Sequence, residues 1–385
     1  MSPLFKLAAL AMAVAPLAAQ AASVDLLVGS YTQGDAPGLY AYKFDTASGR
    51  LSATPWQALR LDNPSWVVVA PDQSHVYVVD ENGPGAHDPI GRATALTLGG
   101  THRLQVVNQV STLGDHPTHA TLTPDGRYLL VANYSVGADP GGTLAVLPVD
   151  ASGKLLPVTQ LSSYQASKVD TDRQLSSHIH SVNFAPDGKT AYVADLGGDR
   201  LYVYRYAPQA SAERPLQAAK VPFLALPPGS GPRHLVFDAS GRHAYLTLEM
   251  AGQVAVLDVD ADGALTLRTT LDLFPAGFQG DNGAGAIHLS ADGKFLYVVN
   301  RGTDNHIAVF AVGADGGLSL VQRRATEGRQ PREFSIDPSG RFLLVAAQGD
   351  DRIVVIARDP ASGQLGKMLQ TVDVVAPSDL KFLRP

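Results

Sequence analysis

A chain of 385 residues with 30 Lys and Arg against 36 Asp and Glu carries a formal charge of -6, and so offers no basic surface for nucleic acid or an anionic membrane. It has no cysteine, which excludes disulfide stapling and thiolate ligation. Neither a G-x-x-x-x-G-K-[S/T] nor a G-x-G-x-x-G loop occurs, so nucleotide chemistry has no support.

In chain order, Lys6 precedes a mostly apolar run from Leu7 to Ala19, and Ala19-Gln-Ala21 supplies a small-residue cleavage pattern. Residues 1–21 therefore read as a signal peptide, too short and wrongly flanked for a membrane anchor, and the mature chain as periplasmic or secreted. The remainder, 22–385, reads as a single domain. It opens on the strand-like run Val24 to Tyr31 and then repeats one turn phrase six times. The phrase is Ala-Pro-Asp-Gln at 70–73, Thr-Pro-Asp-Gly at 123–126, Ala-Pro-Asp-Gly at 185–188, Asp-Ala-Ser-Gly at 238–241, Ser-Ala-Asp-Gly at 290–293 and Asp-Pro-Ser-Gly at 337–340. Its third residues, Asp72, Asp125, Asp187, Ser240, Asp292 and Ser339, are separated by 53, 62, 53, 52 and 47 residues, which suits four-stranded blades with generous loops.

One copy shows the four strands: Arg233 to Asp238, His243 to Glu249, Val254 to Asp258 and Leu265 to Arg268, joined by tight turns and alternating in polarity. A seventh copy is split between the termini, with Pro377 to Leu383 as its first strand and Val24 to Tyr31 as its second. The expected fold is an all-β, seven-bladed propeller of four-stranded antiparallel blades, closed by its two ends. Six or eight blades stay open, because the 62-residue interval can conceal an insertion.

The register also predicts one face of the disk. Seven residues before each mark stand Ser65, Thr118, His180, Arg233, Gly285 and Arg332, and six before it Trp66, His119, Ser181, His234, Ala286 and Glu333. Eight residues after the mark come Asp80, Asn133, Asp195, Leu248, Asn300 and Ala347, then Glu81, Tyr134, Leu196, Glu249, Arg301 and Gln348. The start of a first strand and the end of a second lie at the same end of an antiparallel pair, so these residues share one mouth of the central channel.

His180 and Glu249 can move protons or activate water, and Arg233, Arg301 and Arg332 can hold a carboxylate or an oxyanion. His119, His234, Asp195 and Asn300 are candidates to contact substrate, although each can equally satisfy blade-to-blade hydrogen bonds. Hydrolysis of an ester or lactone is the simplest reaction this inventory supports, and no G-x-S-x-G elbow offers a covalent nucleophile. Metal is the competing use: the carboxylates and amides suit calcium or magnesium, and His180 with His119 or His234 suits zinc. Any such site must be assembled from several blades, because no short-spaced ligand motif occurs. No cofactor is expected.

Leu26 to Thr32, Gly231-Pro-Arg-His-Leu-Val-Phe237, Ala244 to Glu249, Gly277 to Asn282, and Asp292 to Gly302 resemble the motifs of the propeller-type bacterial 6-phosphogluconolactonases and of the fungal 3-carboxy-cis,cis-muconate lactonizing enzyme. The resemblance implies metal-independent opening or closing of a lactone ring. It implies His180 and Glu249 as the acid-base pair, either of them the base, and Arg233 and Arg301 as holders of anionic groups. An exported chain departs from the cytosolic role of such an enzyme, and an unphosphorylated aldonolactone such as glucono-1,5-lactone is the expected small-molecule substrate. The alternatives are a non-enzymatic periplasmic propeller that binds a ligand or protein, and a muconate-type lactonizing enzyme. Oligomeric state is not encoded in any recognisable motif.

Overall fold

The computed structural model describes residues 23–86, 88–100, 102–135 and 141–384; the expected signal peptide lies outside them. Seven antiparallel sheets follow one another, six of them four-stranded, each ordered from an inner first strand to an outer fourth. Alternating Val, Leu, Tyr and Ala residues bury both faces of the middle strands, and seven apolar clusters fill the seven contacts between neighbouring blades. Radial stacking of this kind buries every sheet face without a single central core. Among the described residues the only helix is one 3-10 turn, Gln348–Asp350, and no helix is long and apolar enough to cross a membrane.

The ends close the ring as the split repeat predicts. Pro377–Phe382 pairs with Ser23–Ser30, which pairs with Gly38–Asp45. The fourth strand of that sheet is broken into Arg50–Leu51 and Gln57–Arg60. Side-chain clasps bind blade to blade around the rim. Gln57, Asn108, Gln160, Gln322 and Gln370 each use both amide atoms on the backbone of a leucine in the next blade, and the last of them joins Gln370 to Leu51 across the closure.

The 62-residue interval hides an insertion, not a blade. Between the second blade's last strand, Gln160–Ser163, and the third's first, Ile179–Phe184, runs a fifteen-residue connection, whereas the other six blade-to-blade connections have three to nine. Buried Gln174 anchors this loop by donating from Nε2 to Leu196 O and Asp199 Oδ1, each at 2.8 Å.

Every inner strand carries a β-bulge near its start. The ladder skips Ser65, Thr118, His180, Arg233 with His234, Gly285 with Ala286, Arg332 and Ser378. An unpaired bulge residue is free to turn away from the sheet face, and bulges commonly re-aim side chains at active sites. Here seven of them form a ring around the channel.

Candidate active site

The site grows from two sets of positions, the bulge residues and the residues just beyond each second strand. His180 and Glu249 come together in this way: His243–Leu248 ends one residue before Glu249, and the bulge after Ile179 projects His180. His180 Nε2 lies 3.9 Å from Glu249 Oε2. That oxygen is also 2.9 Å from Arg233 Nε and 2.9 Å from Arg301 Nη2, while Oε1 accepts a hydrogen bond from Arg173 Nη2 at 2.8 Å. The Arg233 contact is an ion pair without hydrogen-bond alignment. One carboxylate thus pairs with three guanidinium groups from three different elements.

A second pairing completes the wall. Arg332 Nη2 reaches Glu81 at 3.3 Å and Thr118 Oγ1 at 3.5 Å, and its guanidinium stacks 5.0 Å from the Tyr31 ring centroid. The Tyr31 hydroxyl donates to Glu81 Oε2 at 2.7 Å. Between the two pairings lies a cavity of about 160 Å³, lined by Glu81, Thr118, Tyr134, Arg173, His180, Glu249, Arg301 and Arg332. Gly285 leaves room for this arrangement, since a Cβ there would stand 3.2 Å from Val299 Cγ1 and 3.5 Å from Arg301 Nε.

The electrostatics follow from burial and charge count. Burial alone would raise the Glu249 carboxyl, but Arg301, Arg233, His180 and Arg173 outweigh it and hold it well below the usual carboxylate range. Burial, and then the Arg233 charge, push the His180 imidazole well below its ordinary value, so it is neutral near pH 7. Four guanidinium groups face two carboxylates, leaving an excess of two positive charges around the cavity.

The expected residues fall into three groups. His180, Glu249, Arg301 and Arg332 line the cavity. Arg233 is only 1% exposed and sits behind Glu249, its Nη1 without a hydrogen-bond partner, so it acts on the site through that carboxylate. His119 and His234 lie deeper in the channel, packed with Trp66 at ring-centroid distances of 4.3 and 5.3 Å, and are not part of the cavity wall. Burial, and then nearby cations, push both imidazoles well below their ordinary values.

Asp195 and Asn300 are turned away from the mouth. Asp195 accepts from Ser177 Oγ and from the backbone N–H groups of His178 and Gly198, and Asn300 Oδ1 accepts from Gly283 N. Both are fully buried and serve the blade. Successive strand residues point to opposite faces, so a set one position short of the rim necessarily faces inward.

Arg173 is the cavity residue that strand register misses, because it belongs to the inserted loop; the long interval was its one signal. Among the described residues no three His, Asp or Glu side chains are grouped as metal ligands.

A family model described as "Lactonase, 7-bladed beta-propeller" matches residues 25–382. The chain is similar to the 6-phosphogluconolactonase of Formosa agariphila, with 31% identity over 93% of this chain and 99% of that protein. Its likeness to the 6-phosphogluconolactonase of Bacillus subtilis is also 31%, over 92% of this chain and 97% of the relative. Among solved structures it is similar to the Pseudomonas aeruginosa periplasmic gluconolactonase PpgL, with 54% identity, a TM-score of 0.91, and coverage of 94% of this chain and 99% of that one.

Proposed function

The chain belongs to the seven-bladed β-propeller lactonase family, and on that premise we propose that it opens an unphosphorylated aldonolactone, glucono-1,5-lactone being the type, in the periplasm. It is an enzyme that hydrolyses a sugar lactone to the open-chain acid. The observation that carries the reading is the buried Glu249 carboxylate, gripped by three arginines beside a neutral imidazole at the mouth of a small cavity. The cavity is small, about 160 Å³, and walled by eight side chains of which four are ionised or polar partners of the Glu249 and Glu81 pairings, a scale that suits one sugar ring.

The residues divide the reaction between them. Neutral His180 takes a proton from water as the water oxygen adds to the lactone carbonyl carbon. Glu249 stabilises the imidazolium that results, as an anion next to a catalytic histidine does. Arg301, which faces the cavity, donates to the carbonyl oxygen as it becomes an oxyanion. Collapse of the tetrahedral adduct breaks the ring C–O bond, and the departing ring oxygen takes the proton back from His180. The products are one hydroxyl and one carboxylic acid, which ionises at neutral pH. Arg233 keeps Glu249 charged and fixed. No step calls on a metal or cofactor.

The periplasmic assignment is supported by the signal-like residues 1–21 and by the likeness to a periplasmic gluconolactonase. The excess of two guanidinium charges accepts a phosphate as readily as an oxyanion, so the substrate ratio is decisive. We expect a higher kcat/KM on glucono-1,5-lactone than on 6-phosphogluconolactone at mildly acidic pH, with spontaneous opening subtracted and no loss after EDTA treatment. Equal or better turnover of the phosphorylated lactone overturns the substrate assignment. Loss in EDTA that a divalent cation restores overturns the metal-free reaction.

A further inference from the structure

The three guanidinium groups on Glu249 differ in how easily each can let go. Arg233 is 1% exposed, and freeing it would leave a buried unpaired charge, which is costly. The Arg301 side chain is 15% exposed and is tied to Gly283 O through Nε at 3.4 Å. The Arg173 side chain is 45% exposed, so water can replace its partners at little cost. Its backbone is held by the buried Gln174 anchor and by the Asp170 carboxylate, which accepts from Arg173 N at 2.8 Å. The guanidinium can therefore move while the loop stays.

Its present bonds point the same way. Arg173 Nη2 alone makes both contacts, to Glu249 Oε1 at 2.8 Å and to the Tyr134 hydroxyl at 3.2 Å. Among the described residues the ion pair at Oε1 is that with Arg173, whereas Oε2 keeps Arg233, Arg301 and His180 within 4 Å. Releasing Arg173 would thus remove one cation from Glu249 without dismantling the rest of the site. A carboxylate paired with three cations is a weak base and a weak partner for an imidazolium, and the release of one cation improves it in both roles.

We propose that Arg173 is a substrate-exchanged latch: in the free enzyme it neutralises Glu249 Oε1, and on binding it passes its donors to the outward-facing oxygens of the lactone and leaves Oε1 free. The inference rests on the lactonase reading and deepens it, because it makes Arg173 both a specificity contact and a positioning residue for Glu249. The inserted loop then has a function that the other six blade-to-blade connections lack. Substrate binding itself raises the proton affinity of the His180–Glu249 pair, which on its other sides faces Arg301, Arg233 and Arg332 and the rings of His234 and Tyr134, 5.2 and 5.5 Å from that of His180.

The test is the pH dependence of kcat/KM and of kcat on glucono-1,5-lactone for the wild type, Arg173→Gln and Arg173→Lys. The first quantity reports the free enzyme and the second the complex. In the wild type the acid limb of kcat/KM lies below that of kcat, since the latch is closed only in the free enzyme. Arg173→Gln removes a cation beside the pair, so its kcat/KM limb moves up by roughly 1 pH unit and joins the kcat limb. Its KM also rises by a larger factor than its kcat falls. Arg173→Lys keeps the charge but not the fork, and leaves the limb near its wild-type position while KM rises. An active wild type whose two limbs coincide, or an Arg173→Gln variant that loses kcat with neither limb moved, overturns the latch and leaves the lactonase reading intact. A folded wild type inert to both lactones overturns the parent reading and the latch with it.

Discussion

The two ends of the inner strands treat the repeat in opposite ways. At the turn end the same chemistry recurs from blade to blade. Tyr77, Tyr192, Tyr245 and Tyr297 each stand five residues after a register mark, and each donates its hydroxyl to a glycine carbonyl of the next blade. The acceptors, Gly153, Gly263, Gly316 and Gly363, all have positive φ in the turn before a fourth strand. At the mouth the seven equivalent bulge residues are Ser, Thr, His, Arg, Gly, Arg and Ser, and the positions after the second strands are as varied. Equal surroundings with equal residues serve the ring. Equal surroundings with unequal residues serve a ligand that lacks sevenfold symmetry, and that contrast marks the mouth as the site of chemistry.

Glu249→Gln breaks the contrast on the functional side and carries the largest expected effect. The amide keeps the shape but removes the charge that stabilises imidazolium and pairs with three guanidinium groups. We expect kcat/KM on glucono-1,5-lactone to fall on the order of 10³-fold, within the range of lost acid-base catalysis. Steady-state kinetics on protein shown by circular dichroism to be folded would check it, and a loss of under tenfold would remove Glu249 from the mechanism.

Much of this contrast is legible in the sequence because hairpin turns are local. The phrases around Asp72 to Ser339 mark every complete blade, and the apolar alternation of Pro377 to Leu383 identifies the strand that closes the ring. The mouth is legible for the same reason: His180 and Glu249 keep fixed offsets from their marks. Depth is harder to read. Arg233 and Arg332 share one offset, yet the first is sealed behind Glu249 and the second faces the cavity, since this depends on which neighbour reaches across the channel. Asp195 and Asn300 show how one residue of offset reverses a side chain. Arg173 lies beyond any strand-based register, and its loop's path is set by tertiary contacts of Gln174.

On the structural side, Tyr245→Phe tests the repeated end. Its hydroxyl bond to Gly316 O, 2.9 Å long and buried, joins the fourth blade to the fifth, and the ring remains packed when the oxygen is lost. The cost is about 1 kcal/mol for the hydrogen bond, with the glycine carbonyl left to find water. Urea denaturation should show that loss while kcat/KM stays at the wild-type value. A change in activity without a change in stability would contradict the division between the two ends.

The remaining effect is expected one residue from the mouth, at Asp80, where it concerns stability alone and its size depends on pH. Burial pushes this carboxyl up to about 7, against hydrogen bonds from Thr94 Oγ1 at 2.7 Å and Gln109 Nε2 at 3.0 Å, both on Oδ2. Oδ1 has no partner. A carboxyl whose pKa is higher folded than unfolded binds more protons in the native state, so stability falls as pH rises from about 4 to about 7 and stays lowered above that. Asp80→Asn keeps an acceptor for Thr94 and Gln109 and cannot ionise. Its Tm should match the wild type near pH 4 and exceed it at pH 8. Thermal melts at the two values would check this, and a wild type more stable than the variant at pH 8 would show that the inward-facing carboxylate is held charged by its blade, as the mouth holds Glu249.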